Sequence, residues 1–264
     1  MEGVVNLINL SLSCDKLVHF VFCSSTASIA KLADEHSYVR EQPPAGPDNA
    51  ADVGYGKSKW VAEMICHKAQ TSTAARISVV RIGQLTGDTE HGIWNESEAW
   101  PLMLSTVHQL GSLPTMDETL TWLPLDTAAT AIIQITTSPG MDNTSPRMDR
   151  VQFFHVVNNS QETHWNDMLE WIQEFHEDPF RVVSLDEWLD ELDGLEGNHP
   201  AKVLSNLWRN SVKASKQIDG QELKGYATEQ VEKIAPIMCR IPPVNRELIG
   251  LIWGWITSKM VLSV

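Results

Sequence analysis

Leu17-Val18-His19-Phe20-Val21-Phe22-Cys23-Ser24-Ser25-Thr26 decides the fold class. An almost unbroken run of apolar, β-forming residues stops abruptly at a row of hydroxyls. A run without polar alternation reads as a strand buried on both faces, as in a parallel sheet. Working outward, Ile77-Ser78-Val79-Val80-Arg81-Ile82 and the stretch from Val151 to Val157 have the same character. Between these runs the period changes. Residues 2–13 put Val4, Leu7, Ile8 and Leu12 on one helical face, and residues 55–70 carry Trp60, Val61, Met64 and Ile65 at helical spacing. Residues 126–137 continue in the same way. Strands alternating with helices indicate an α/β protein with a parallel sheet. The polar segment 34–54, with Pro43, Pro44 and Pro47, reads as loop, and 83–125 is an irregular stretch broken by glycine and proline around one helix at 98–109.

Past residue 158 the pattern is mostly helical: 164–176, 185–193, 200–216, 228–235 and 244–260. The expected organisation is therefore an α/β part over 1–157 and a mainly helical lobe over 158–264.

The sequence has 264 residues, 42% of them apolar, enough for a sizeable core, and a formal charge of −14. A chain this acidic is repelled by phosphate backbones, which argues against a nucleic-acid partner. Cys14, Cys23, Cys66 and Cys239 form neither a CxxC pair nor a metal-ligand spacing with histidine, so no metal site and no disulfide framework is expected. Leu248 to Val264 is the most apolar long run, but Lys259 interrupts it, and a buried helix is expected there rather than a membrane span. The start of the sequence has no signal-peptide pattern, and a cytoplasmic protein is expected.

Two clusters could carry chemistry. Tyr55-Gly56-Lys57-Ser58-Lys59 opens a helix, and at that spacing Tyr55 and Lys59 project from one face. A tyrosine hydroxyl can protonate a developing alkoxide, and an ammonium one turn away favours the phenolate and can bind ribose hydroxyls. Ser24, Ser25 and Thr26 stand at the carboxyl end of a buried strand, the edge at which open α/β sheets bind ligands. His155, on a strand, reads as a core residue, and Asp186 to Glu191 as a solvated acidic helix face. Lys202, Arg209, Lys213 and Lys216 share one helix face, which reads as solvated or, functionally, as a dock for an acidic carrier domain.

Phe20-Val21-Phe22-Cys23-Ser24-Ser25, followed by Gly54-Tyr55-Gly56-Lys57-Ser58-Lys59-Trp60-Val61-Ala62-Glu63, resembles the extended short-chain dehydrogenase/reductases. More narrowly it resembles the thioester reductase domains of carboxylic acid reductases, aminoadipate reductases and fungal NRPS-like adenylate-forming enzymes. Arg81-Ile82-Gly83-Gln84-Leu85-Thr86-Gly87-Asp88, Gly92-Ile93-Trp94-Asn95 and Trp122-Leu123-Pro124-Leu125-Asp126 extend the likeness, which is good over about residues 2–160 and loose beyond. It implies a partial Rossmann-type parallel sheet and a helical substrate lobe. It also implies a catalytic set of Tyr55, Lys59 and a hydroxyl from Ser25 or Thr26. Ser24, Tyr55, Lys59 and the segment Arg81, Ile82, Gly83, Gln84 would line the nicotinamide end of the cofactor. The implied cofactor is NADP, the implied partner a phosphopantetheinyl carrier protein, and the implied reaction the NADPH-dependent release of its acyl thioester as an aldehyde.

One departure stands out. The sequence contains no G-x-x-G-x-x-G turn to seat a pyrophosphate on a helix N-terminus. The N-terminal strands of such a sheet and the adenosine half of the site are expected to be missing. A fragment of a longer reductase, a truncated product, or a chain completed by an upstream partner would each explain this. The strand at 17–23 would then present an open edge able to self-associate. A sugar-nucleotide epimerase or dehydratase of the same superfamily, and a non-catalytic remnant, are the alternative readings.

Overall fold

The structure is a computed structural model. It describes residues 1–16, 18–32, 39–44, 46–138, 152–197, 199–209 and 225–261. Leu17, Val151, Lys213 and Lys216, named above, lie outside the described residues, as does the end of the helix expected over 200–216. The principal elements are α1 (Glu2–Leu12), β1 (His19–Ser25), α2 (Gly54–Ser72), β2 (Arg76–Ile82), α3 (Ala99–Ser105), β3 (Ser112–Thr115) and α4 (Leu125–Thr137). They continue with β4 (Gln152–Val156), α5 (Trp165–Phe175), β5 (Arg181–Ser184), α6 (Leu185–Gly194), α7 (Glu229–Ile234) and α8 (Arg246–Val261). No helix among the described residues is long and apolar enough to cross a membrane.

The chain divides into two compact units. Each is assembled from segments that are discontinuous in sequence: Met1–Leu85, Asp126–Asn159 and Leu223–Pro242 form the first, and the remaining segments the second. The first unit holds a parallel sheet in the order β1-β2-β4. Its register sets Ser25 opposite Ile82, and Ile82 opposite Val156, so the three strands end together at one carboxyl edge. α1 and α2 cover one face of this sheet, where Ile8, Cys66, Ile77, Val79 and Phe153 are buried with Val4, Phe20, Phe22 and Ile65 against them. Burial, with Glu63 nearby, pushes the Cys66 thiol up to about 12, so it stays a protonated core residue.

The expectation of complete burial for the first strand is corrected here. β1 pairs only β2 among the described strands, and most of its residues are half-buried with Cys23 exposed. Its apolar run reflects one covered face and one partnered edge.

The core of the first unit also holds titratable groups. Glu41 sits in the loop before α2, and its carboxylate accepts backbone N–H groups from His155 (3.0 Å), Gln230 (2.6 Å) and Val231 (3.2 Å). Burial, against those N–H groups, raises its carboxyl to about 7. His155 is fully buried, and burial, with the adjacent Arg81 cation, lowers its imidazole to about 3.

These two groups have opposite consequences for stability. Folded Glu41 keeps a proton that the unfolded chain releases from 4.5 upward, so its contribution is complete below 4.5 and is lost as pH rises through about 7. The unfolded chain protonates His155 below 6.5 while the folded chain refuses the proton, so that contribution is lost as pH falls from 6.5 toward about 3. Between 4.5 and 6.5 the two oppose each other, so denaturant unfolding is expected to show a rise below about 4.5, a flat span, and a fall from about 6.5 to about 7. Glu41→Gln is expected to remove the falling limb and His155→Gln the rising one. Unchanged slopes in both variants would refute the assignment.

The second unit is helical around a tryptophan-rich core that includes Trp94, Trp122, Trp165, Trp188 and Trp253. Two of the indole N–H groups are paired inside it: Trp165 donates to the Pro114 carbonyl at 2.7 Å and Trp188 to the Thr106 hydroxyl at 3.1 Å. This lobe also contains a strand pair that the sequence pattern does not announce. β3 and β5 run parallel, with Leu113 opposite Val182. At four residues each, and with Pro114 inside one of them, they are too short to display a period of two. Gly92, at φ +68°, lets its loop lie flush on α8, because a Cβ there would stand 2.3 Å from the Leu251 carbonyl carbon.

On α6, Trp188 and Leu189 are buried while Glu187 and Glu191 pair with Arg181. The basic face is partly committed. Arg209 pairs with Asp190 (3.1 Å) and Asp193 (2.7 Å), and Lys202 donates to the Leu195 carbonyl. Arg209 is thus ion-paired, whereas Lys202, bonded to a neutral carbonyl, keeps its positive charge.

Candidate functional site at the carboxyl edge of the sheet

α2 begins at Gly54 and presents Tyr55 and Lys59 from its first turns. Tyr55 is 55% exposed. The Lys59 ammonium donates to the carbonyl of Cys23 at 2.9 Å, the residue just before the hydroxyl row. It lies 5.5 Å from the Tyr55 ring centroid and 5.2 Å from that of Phe22. One cation thus joins the start of α2 to the end of β1, with an aromatic ring on each side.

The close approach depends on Gly56. A Cβ at that position would stand 2.7 Å from the Ala27 carbonyl oxygen and 3.0 Å from the Ala51 Cβ. The first is backbone and the second a Cβ fixed directly to its backbone, with the Ala51 N at 3.2 Å behind it, so neither yields cheaply. Gly56→Ala is expected to cost ~1–3 kcal/mol by forcing α2 off the 25–28 turn. Gly54→Ala is the control, since nothing lies within 4 Å of a Cβ there. Thermal unfolding of the two variants checks this, and equal melting temperatures would contradict it.

The three hydroxyls take different roles. Ser24 is buried, and its Oγ donates to Glu63 Oε1 at 2.5 Å. Ser25 caps the short 3-10 turn Thr26–Ile29 by accepting the Ala27 N–H at 3.2 Å. Thr26 shares a hydrogen bond with the Tyr226 phenol, whose acidity is weakened by burial and strengthened by that bond and by Arg81. Ser28, the last hydroxyl of the turn, donates to the same Glu63 Oε1 at 2.6 Å.

Arg81 is also turned inward. Its guanidinium gives Nη2 to Glu63 Oε2 at 2.7 Å and Nε to Oε1 at 3.1 Å, and both side chains have no exposure. Its Nη1 donates to His155 Nε2 at 3.2 Å. Arginine has no acceptor, so His155 must carry its proton on Nδ1, which donates to the Ala227 carbonyl at 2.9 Å. The Phe153 ring packs 4.6 Å from the guanidinium carbon.

Of the residues singled out from the sequence, the structure therefore brings Tyr55 and Lys59 together against the end of β1. It commits the side chains of Ser24 and Arg81 to the interior. Ile82 and Gly83 are half-buried beyond Arg81, Gln84 is exposed, and a Cβ on Gly83 would press on Val157 at 3.2 Å. Glu63 was quoted in the sequence only as the end of a motif. Its position two turns after Tyr55 on the same helix is the one signal that could have marked it. No cluster of His, Cys, Asp and Glu suited to a metal occurs among the described residues.

The family model NAD_binding_4, described as Male sterility protein, matches residues 1–132, a span that contains Tyr55, Lys59 and the hydroxyl row. The chain belongs to this family. It is 33% identical over 201 residues, 73% of its length, to a carboxylic acid reductase of Neurospora crassa, and 33% identical over 197 residues to the non-canonical non-ribosomal peptide synthetase ascB of Acremonium egyptiacum. It spans 18% and 17% of those two relatives, respectively. In three dimensions it resembles the terminal R domain of the myxalamid PKS-NRPS pathway, with a TM-score of 0.75 and 21% identity, over 99% of this chain and 64% of that one. The fold is thus that of the reductase domains, an extended short-chain dehydrogenase/reductase architecture. The family is an NAD-binding one, and a nicotinamide cofactor goes with it.

Proposed function

We propose that the chain carries the catalytic, nicotinamide-side half of an NADP-dependent thioester reductase that releases a carrier-bound acyl group as an aldehyde. The observation that carries this reading is the Lys59 ammonium, seated between the Tyr55 ring and the end of β1. The likeness to a carboxylic acid reductase and to R domains of assembly-line enzymes supports the substrate class. A solved thiolation-reductase di-domain with the same fold supports a carrier protein as partner.

The donor set fits a nicotinamide nucleotide. One Lys59 N–H goes to the Cys23 carbonyl, and the others suit ribose hydroxyls, while the exposed Tyr55 hydroxyl is left for the reacting carbonyl. The backbone of Ile82, Gly83 and Gln84 would line that end of the cofactor. NADPH, when bound, supplies the reducing equivalent. Tyr55 donates a proton to the oxygen of the reacting carbonyl, and Lys59 stabilises the phenolate left behind. Ser25 holds that oxygen: its Oγ accepts from Ala27, so its O–H is left to donate. Thr26, tied to Tyr226, is the alternative donor.

The 264-residue sequence has no glycine-rich turn for the pyrophosphate, so cofactor binding by this chain is expected to be weak, in the millimolar range. The test titrates NADPH by its fluorescence, then adds an acyl-pantetheine thioester and traps aldehyde. Thioester-dependent aldehyde at millimolar NADPH supports the reading. Its absence there, with NADPH bound, would refute it, and micromolar binding would refute the half-site. An open β1 edge paired by an upstream segment or by a second copy belongs to the same proposal.

A further inference from the structure

We infer that Glu63 is the positioning residue of this site: through Ser24, Ser28 and Arg81 it fixes the helix bearing Tyr55 and Lys59 against the hydroxyl end of β1. The inference rests on the reductase reading for its catalytic meaning and on geometry alone for its mechanics. Glu63 follows Lys59 by one turn and Tyr55 by two on the inward side of α2.

Its carboxylate is wholly buried, and every close donor to it is accounted for by the strand end and by β2. Oε1 accepts Ser24 Oγ (2.5 Å), Ser28 Oγ (2.6 Å) and Arg81 Nε (3.1 Å), while Oε2 accepts Arg81 Nη2 (2.7 Å). Burying a charge is costly unless the geometry is saturated in this way. The choice of donors separates a positioning role from simple core cohesion. Ser24 and Ser28 bracket Ser25 and Thr26, so one carboxylate on the Tyr55 helix grips the candidate hydroxyls from both sides.

Arg81 is itself held by His155 and Phe153 on β4, which extends the anchor across all three strands. Any slip of the 24–28 segment along α2 would carry the Cys23 carbonyl away from Lys59.

The experiment needs no turnover. Lys59 lies near two aromatic rings, so the NMR signal of its ε-methylene is displaced by ring currents, and Lys59→Arg assigns it. Ser24→Ala/Ser28→Ala removes two of the three anchors and leaves the Arg81–Glu63 pair in place, which keeps the core charge-balanced. This variant is expected to stay folded by circular dichroism, and the Lys59 signal is expected to lose roughly half or more of its displacement. Glu63→Gln is expected to move it further if that variant folds.

A folded Ser24→Ala/Ser28→Ala chain with lowered melting temperature and an unmoved Lys59 signal would overturn the inference, since core cohesion alone predicts that result. If the double variant did not fold, the single variants Ser24→Ala and Ser28→Ala give the same readout, and an unmoved signal in both overturns it. A chain that reduces no thioester yet shows the shift would refute the reductase reading and leave the positioning role of Glu63 intact.

Discussion

Tyr55→Phe is expected to abolish thioester reduction, lowering turnover by ~10²–10⁴-fold while leaving binding of NADPH and of the acyl-pantetheine thioester close to wild type. The substitution removes one hydroxyl from a ring that is 55% exposed, so little packing is lost. The Lys59 ammonium keeps its bond to the Cys23 carbonyl and its place beside the ring, so the cofactor-facing surface is unchanged. What disappears is the proton donor to the developing oxyanion. Lys59→Ala is expected to lose turnover and also to weaken NADPH binding, because the same cation serves both the phenol and the ribose. Single-turnover aldehyde formation, measured beside a binding titration, separates the two. Near-normal turnover in Tyr55→Phe would place the chemistry elsewhere in the chain.

Arg81→Met is expected to destabilise the first unit by about 3–5 kcal/mol, the cost of leaving a buried charge without its partner. Glu63 would be left with no exposure, no cation, and only the Ser24 and Ser28 hydroxyls beside it. His155 Nε2 would lose its donor as well. Adding Glu63→Leu to Arg81→Met is expected to recover part of the loss, since removing both charges is less harmful than removing one. Recovery should stay incomplete, because the Ser24 hydroxyl and His155 Nε2 would still lose their partners, whereas Ser28 can turn to the Ser25 carbonyl at 2.8 Å. Denaturant midpoints of the single and double variants measure this. A loss of under about 1 kcal/mol in Arg81→Met would mean that water reaches the pair and that it is not the sealed anchor described above.

Much of the molecule was legible before the fold. The runs at 17–23 and 77–82 are β-forming and apolar because each has at least one face against helices, and hydrophobic period carries that information directly. β1 lies at His19–Ser25 and β2 at Arg76–Ile82, each within two residues of its run. The Tyr55–Lys59 pair was legible for a similar reason: residues four apart on a helix are neighbours whatever the tertiary structure. The strands β3 and β5 escaped because pairing between Ser112–Thr115 and Arg181–Ser184 spans a long stretch of chain, and neither segment is long enough to advertise itself.

The sequence by itself determined the α/β class, the helix that opens with Tyr55, and the hydroxyl row at a strand end, all of which are local patterns. Only the tertiary structure decided what each of those side chains does. Ser24 and Arg81 are of residue types that ordinarily face water, and both turn inward because Glu63, a long way off in sequence from Ser24, waits there as an acceptor. The division of the chain was likewise decided in three dimensions. A linear reading can draw one boundary, at 157, whereas the units exchange segments, and Leu223–Pro242 joins the first. Local propensity sets the elements; which buried donor meets which buried acceptor is fixed only when distant segments are packed and each polar group must find a partner away from water.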